Sequence, residues 1–391
     1  MKHKNDKSLS QLKPSQQFTD RLVTLSEFEI YQPNWIDLTK VEIKSQPWLW
    51  QNVIPLETSM LLAGAGGIGK STLLLFIIAK VTSGELFNCC GDDVILQKGH
   101  VILLAAEDRE DTYLVPNLLA AGADLSKIHC IKSKIGCVSG KSKFLELDKD
   151  LDVIEQKLIE LQKQGNHVKL MVIDPITYFT GETKDHIQTE VANFIQSLTD
   201  LAQSYGMALI LNKHLRKKSG KQSVSSVVDE VGGSAAWVNT PRQAFVVMRH
   251  PENENKILMF NLKTNLTKRK TEAYCYTIEQ TEIQASNGIF QATKLVWSDK
   301  KETIGIEEAS NKELFNKSKG DHAQDIIHYQ LNNNGATSIE NLKEICEKQG
   351  ISERTCQRAY LSMEKENTIR RQKGTIKPHF ELSDGWHGDN K

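Results

Sequence analysis

The stretch Gly64-Ala65-Gly66-Gly67-Ile68-Gly69-Lys70-Ser71 fits the spacing G-x-x-x-x-G-K-[ST] at every fixed position. A turn this rich in glycine can gather backbone N–H groups around an anion. The apolar run that follows supplies a helix whose N-terminus favours negative charge. In this pattern Lys70 reaches the β- and γ-phosphates of a nucleotide and the Ser71 hydroxyl ligates Mg²⁺, with Thr72 completing the cradle. Background residue frequencies put an accidental match in a chain of this length near about 1%.

Two acidic positions follow on separate apolar runs. His100–Ala105 leads into Glu107-Asp108, and an acidic residue beside the glycine turn can orient the water that attacks a γ-phosphate. Glu107 is the favoured base and Asp108 the lesser candidate. Leu170 to Pro175 reads as a β-branched strand ending in Asp174, the pattern that carries one carboxylate to a Mg²⁺ hydration shell. Ile176–Lys184 is expected to be a loop near the site, where Thr177 could meet a water.

A further strand runs out at His214, which either senses the γ-phosphate or is a satisfied strand-end histidine. Beyond it Arg216, Lys217, Lys218 and Lys221 lie on a Gly/Ser-rich stretch. Such a stretch can track a phosphate backbone, or it can be an ordinary solvated loop. Arg242 and Lys263 are candidates for a cation that completes a neighbouring subunit's site, with Arg249 and Lys268 as alternatives.

These residues need a scaffold of strands alternating with helices. The strands are expected at Ser59–Leu62, His100–Ala105, Lys127–Ile131, Lys169–Ile173, Met207–Leu211, Gln243–Val247 and Lys256–Asn261. Helices are expected at Ser71–Thr82, Leu151–Gln164 and Thr189–Ser204, each ending near a glycine: Gly84, Gly165 and Gly206. The fold class is α/β with a mostly parallel, covered sheet. Residues 1–20 are expected to be a disordered lead and 21–297 the main domain, whose Trp-bearing start, 21–58, reads as an irregular lead packing onto the rest of that domain. Residues 298–320 read as a polar linker, and 321–385 as a separate small domain.

With 49 Lys+Arg against 49 Asp+Glu, no bulk field draws the chain to nucleic acid, so any such binding needs local basic patches. The seven cysteines show no metal spacing, and the basic, polar start has no apolar core of a leader. A reducing cytoplasm and no membrane span are expected.

In order, these motifs resemble the RecA-like hexameric helicases, most closely the plasmid RepA branch of AAA-type ATPases. The likeness covers roughly residues 45–270. It rests on the glycine turn, the AAED block continuing through PNLLAAGAD, the VIDP strand, the strand ending in KHL, and then GGSAAW…PRQAF and LKTNL. The resemblance implies ATP and Mg²⁺ as ligands, with Lys70 and Ser71 on phosphate and metal, Glu107 as catalytic acid/base and Asp174 as the Walker B acid. It makes His214 the sensor, and Arg242 and Lys263 the cations acting in trans. Two positions depart from it: many relatives carry Arg where this chain has Asn117, and a basic residue where it has Gly232.

The tail resembles small winged-helix units. One helix carries Ile326, Ile327 and Leu331. A second starts at Ser338 with Ile339, Leu342 and Ile345 inward. A recognition helix follows Gly350 with Arg354 and Arg358, and Ile369–Lys373 with His379–Leu382 forms a wing. Such a unit can bind DNA or dock a protein.

The resulting expectation is an ATP-hydrolysing hexameric ring on single-stranded DNA, a replicative helicase of a plasmid, phage or integrated element. Its possible partners are a replication initiator or a primase. The alternatives are an ATP-switched DNA-binding initiator or regulator without unwinding activity, a recombinase-like filament, and a signalling ATPase.

Overall fold

The computed structural model describes residues 35–135, 142–215, 231–268, 271–286, 288–315, 319–366, 368–372 and 379–382. Residues 1–45 and 46–391 form two units. In the first, the described part holds a 3-10 turn, Leu38–Lys40, capped by the Asp37 side chain accepting from the Thr39 N–H.

The second unit is built on strands that read as near-continuous apolar runs, as strands buried on both faces do. They are β1 (Ser59–Gly64), β2 (His100–Ala105), β3 (Ile128–Ile131), β4 (Val168–Asp174), β5 (Ala208–His214), β6 (Gln243–Arg249), β7 (Ile257–Thr264), β8 (Tyr274–Ala285) and β9 (Gly288–Trp297). The sheet order is β9-β8-β7-β6-β1-β5-β4-β2-β3. From β6 to β3 every pairing is parallel; β7, β8 and β9 add antiparallel pairings.

The two faces take alternate residues of each strand, because successive strand side chains point to opposite sides. Leu61 and Ala63 enter a cluster with Ile154 and Leu158 of α3 (Leu151–Lys163) and with Val191, Ile195 and Leu198 of α4 (Gln188–Ser204). Met60 and Leu62 enter the opposite cluster with Leu73, Leu74, Ile77 and Ile78 of α1 (Lys70–Ser83), and with Leu118 of α2 (Val115–Ala120). Burying each such side chain contributes about 1.5–3 kcal/mol. Gly84 ends α1 in the left-handed conformation, with its N–H on the Lys80 carbonyl.

The seven expected strands and three expected helices are present, with ends displaced by up to three residues. The β8–β9 hairpin was not expected: Glu279, Gln280, Glu282 and Gln284 disguise a strand whose outer half has little to cover. Two other expectations are corrected. Within 298–320, α6 (Ile306–Phe315) lies where a linker was expected, and its Ala309 is buried in the first cluster. Residues 48–55 form a two-stranded ribbon, so this part of the lead is regular, and its Trp50 meets Phe87, Tyr274 and Trp297 edge-on.

The tail has its own core. Helices α7 (Lys319–Asn334), α8 (Ile339–Lys348) and α9 (Glu353–Lys365) enclose Ile327, Leu331, Leu342, Cys346, Cys356 and Phe380. A three-stranded sheet closes it, from β10 (Thr337–Ser338), β11 (Ile369–Arg371) and β12 (His379–Leu382), in the order β10-β12-β11. Ser338 and Ser352 cap α8 and α9, their hydroxyls accepting from Asn341 N–H and Thr355 N–H. Cys346 takes the fully buried place; Ile345 is only half-buried.

Candidate active site

Four adjacent strands, β1, β5, β4 and β2, run parallel and end on the same edge of the sheet. Ligands of open α/β sheets bind beyond such carboxyl ends. The register aligns His214 with Gly64 and Asp174 with Ala105. A cavity of about 780 Å³ opens there, lined by Gly67 to Thr72, Glu107, Asp108, Tyr113 and His214. Its far wall is formed by Arg249, Glu254, Asn255 and, from β8 and β9, Thr277, Ile278, Glu279 and Thr293.

Two glycines of the turn, Gly64 and Gly69, are needed as glycines. Gly69 has φ +99°, and a Cβ there would overlap Ile278; a Cβ on Gly64 would come within 2.8 Å of the Val247 carbonyl. Lys70 is the first residue of α1 and is buried. Its ammonium donates to the Gly64 and Ala65 carbonyls, both at 2.8 Å, and stands 3.3 Å from His214 Nδ1. Burial pulls its pKa down to about 8, against the upward pull of Asp174 and Glu107.

Asp174 is half-buried, and burial raises its pKa. Hydrogen bonds donated by the Asn212 amide and the Ser71 hydroxyl, with the charge of Lys70, oppose that rise. The Asp174–Pro175 peptide is cis. Asp108 is pushed up to about 6 by burial and by the charges of Asp174 and Glu107, with Lys132 opposing. Glu107 is exposed, accepts from the Tyr178 hydroxyl and lies 3.8 Å from His214 Nε2. Thr177 is exposed beside it, with its carbonyl accepting from Thr180. His214 has its pKa lowered, first by burial and then by Lys70. An ammonium can only donate, so Nδ1 accepts from it and the proton of a neutral His214 sits on Nε2, toward Glu107.

The structure thus brings Lys70, Ser71, Glu107, Asp174 and His214 together. It places Arg242 and Lys263 elsewhere. Arg242 N–H bonds the Ser59 carbonyl at the start of β1, and Lys263 pairs with Ala244, so both lie at the end of the sheet away from Gly64. Arg242 is exposed. Lys263 donates to the Val238, Asn239 and Pro241 carbonyls after α5 (Ala236–Asn239). Arg249 lines the cavity, while Lys268 is exposed. Arg216, Lys217, Lys218 and Lys221 lie outside the described residues. Arg354 and Arg358 are exposed one turn apart on α9, whereas Arg370 and Arg371 pair with Glu381 and Glu364.

Several contributors were not among the expected site residues. Asn212 and Tyr178 touch the two acids. Asn117 fixes α2 to β9, its Oδ1 accepting from the Thr293 N–H at 2.6 Å and the Thr293 hydroxyl at 2.9 Å. The two-residue offset from His214 to Asn212 could have pointed to the latter, since the pair shares one face of a strand.

The chemistry of this donor set fits a magnesium-bound nucleoside triphosphate. A buried ammonium at a helix N-terminus, spending its protons on its own loop, suits a phosphate anion. The buried Asn212 Oδ1 has no hydrogen-bond partner among the described residues. Among those residues no cluster of three or more His, Cys, Asp or Glu side chains could hold a metal alone. Magnesium would rest on Ser71 and Asp174, with phosphate oxygens and water completing its shell.

Compared with known families, residues 25–220, half of the chain, match the model of an AAA domain. The match takes in the glycine turn, Glu107, Asp174 and His214. No curated protein matches the chain. No helix among the described residues is long and apolar enough to cross a membrane.

Proposed function

The chain belongs to the AAA-domain family of P-loop ATPases, and from that premise we propose that it is an ATP-hydrolysing oligomeric motor on single-stranded DNA. A DNA helicase serving the replication of a plasmid, phage or integrated element fits this reading best. The observation that carries the ATPase part is the convergence of Lys70, Glu107, Asp174 and His214 at the ends of four neighbouring parallel strands. Lys70 and Gly64 to Thr72 hold the phosphates, and Ser71 and Asp174 hold Mg²⁺. Glu107 orients the attacking water and takes its proton. His214 reports the γ-phosphate to β5. Bound magnesium supplies charge neutralisation on the phosphate oxygens.

Support for an oligomer comes from Arg242. It is exposed at the sheet end remote from its own glycine turn, so it does not serve its own nucleotide and is open to a neighbouring copy's. A hexameric ring is the assembly proposed, in the cytoplasm, with a replication initiator or primase as its protein partner. The tail is read as a RecA-core appendage of the winged-helix kind, with Arg354 and Arg358 facing DNA. That exposed arginine pair also favours a second reading, an ATP-switched DNA-binding initiator or regulator without unwinding activity.

The test is MgATP hydrolysis with and without single-stranded DNA, beside a mass measurement of the assembly. Turnover raised about tenfold or more by DNA in a ring-sized oligomer is expected. Turnover that ignores DNA, or a monomer at full activity, overturns the motor. Tight binding to duplex with no strand separation selects the second reading.

A further inference from the structure

Beside the cavity, on the other face of the sheet, lies a charged junction that the chemistry above does not use. Asp185 follows β4 in the chain. Its Oδ1 accepts from Lys213 Nζ at 2.9 Å and from Trp237 Nε1 at 2.6 Å. Its backbone carbonyl accepts from the Ser234 N–H at 2.7 Å. The Lys213 ammonium stands 4.3 Å over the Trp237 ring, and both side chains are buried. Gly233, at φ +79°, lies so close that a Cβ there would overlap the Asp185 carboxylate. One carboxylate therefore joins three segments: the one after β4, the end of β5, and the one that enters β6.

Lys213 is the residue before His214. Side chains on a strand alternate, so Lys213 follows Leu209 and Leu211 onto the α4 face, while Asn212 and His214 follow Ala208 and Ile210 toward α1. The last two residues of β5 face the two sides of the sheet at once. His214 stands 3.3 Å from Lys70 Nζ on one side, and Lys213 is held by Asp185 on the other. Removing the carboxylate takes away the ion pair that holds this deep ammonium. A rearrangement of Lys213 at the strand end would bear on His214, the next residue of β5.

We propose that Asp185 is a positioning residue for the reaction: by fixing Lys213 and Trp237 on one face of β5, it sets where His214 stands on the other. This rests on the reading of the cavity as an ATPase site. Asp185 touches neither phosphate nor metal, so its loss acts on the chemical step and leaves nucleotide affinity in place.

The test uses the full chain and MgATP. Asp185→Ala is expected to lower kcat about tenfold, the effect of a misplaced catalytic contact, with KM within about twofold. If displacement of the Lys213 ammonium causes the loss, the double variant Asp185→Ala/Lys213→Met recovers a large part of kcat. In the wild type, a magnesium complex of a non-hydrolysable ATP analogue changes the emission of Trp237, isolated by difference against Trp237→Phe. Asp185→Asn abolishes that change while the analogue still binds. Should Asp185→Ala fail to fold, the double variant and Asp185→Asn carry the test. Wild-type kcat in the Asp185 variants, no recovery in the double variant, or an unchanged Trp237 response in Asp185→Asn each overturn the proposal. A wild-type chain without turnover would instead fail the ATPase reading.

Discussion

Lys70 and Lys263 are two lysines in nearly the same local bonding, at opposite ends of one sheet. Each is drawn in from solvent and gives its protons to carbonyls of its own chain, and burial lowers the pKa of each. Lys70 is the first residue of α1, at the helix end that disfavours a cation, with a cavity in front of it. Lys263 sits on the last carbonyls around α5, at the end that favours one. One arrangement is complete without a ligand; the other is completed by an anion. The same residue type is thus satisfied by its own chain or open to an anion according to which helix end it faces.

The largest expected effect separates the two lysines outright. Lys70→Ala should lower MgATP turnover about a thousandfold, in the range seen when a principal transition-state donor is removed. Lys263→Met should leave the turnover per assembled site close to wild type; equal losses in the two variants would break the comparison. Glu107→Gln comes next, with turnover down by about 10²–10⁴ and nucleotide still bound. Equilibrium binding set beside phosphate release checks that pairing.

The pH dependence follows from the Lys70 pKa of about 8, well below the roughly 10.4 of an unfolded lysine. Between these values the unfolded chain holds the proton that the folded one has released. The Lys70 contribution to stability of the nucleotide-free protein therefore rises with pH across that window. Bound phosphate keeps the ammonium charged, so MgATP affinity should fall as pH rises above about 8. Titration calorimetry at several pH values checks this, and a flat affinity would mean that Lys70 does not meet the phosphates.

The smallest effect is at the other end. Removing the Lys263 ammonium uncaps three carbonyls, and Lys263→Met should cost about 1–2 kcal/mol of stability, read by denaturant unfolding. Arg242→Ala sharpens the contrast. Its exposed side chain should leave stability unchanged yet lower turnover in the assembly, and mixing it with Lys70→Ala should restore part of the activity through hybrid sites. No restoration would remove Arg242 from a neighbour's site.

The elements that hold this contrast were legible wherever a local pattern reports burial or a turn. The runs at 100–105 and 168–174 announce buried strands, and Gly64 to Ser71 announces its own turn. The hairpin from Tyr274 to Trp297 was hidden because its outer half is exposed, so its alternation carries polar residues on both sides. Asp185 and Tyr178 were hidden for another reason. Each acts through a partner far away in sequence, and nothing in the spacing of a chain reports such a meeting. Asn117 shows the converse. A departure from the family pattern is explained by a local task, holding Thr293 and with it one wall of the cavity.

The central claim is that the carboxyl ends of β1, β5, β4 and β2 form one site that cleaves MgATP. Phosphate release by the wild type and by Lys70→Ala, at equal protein concentration and with single-stranded DNA present, tests it most directly. Sustained multiple turnover is expected of the wild type, and a rate about a thousandfold lower of the variant. Turnover at the wild-type rate in Lys70→Ala would contradict the claim.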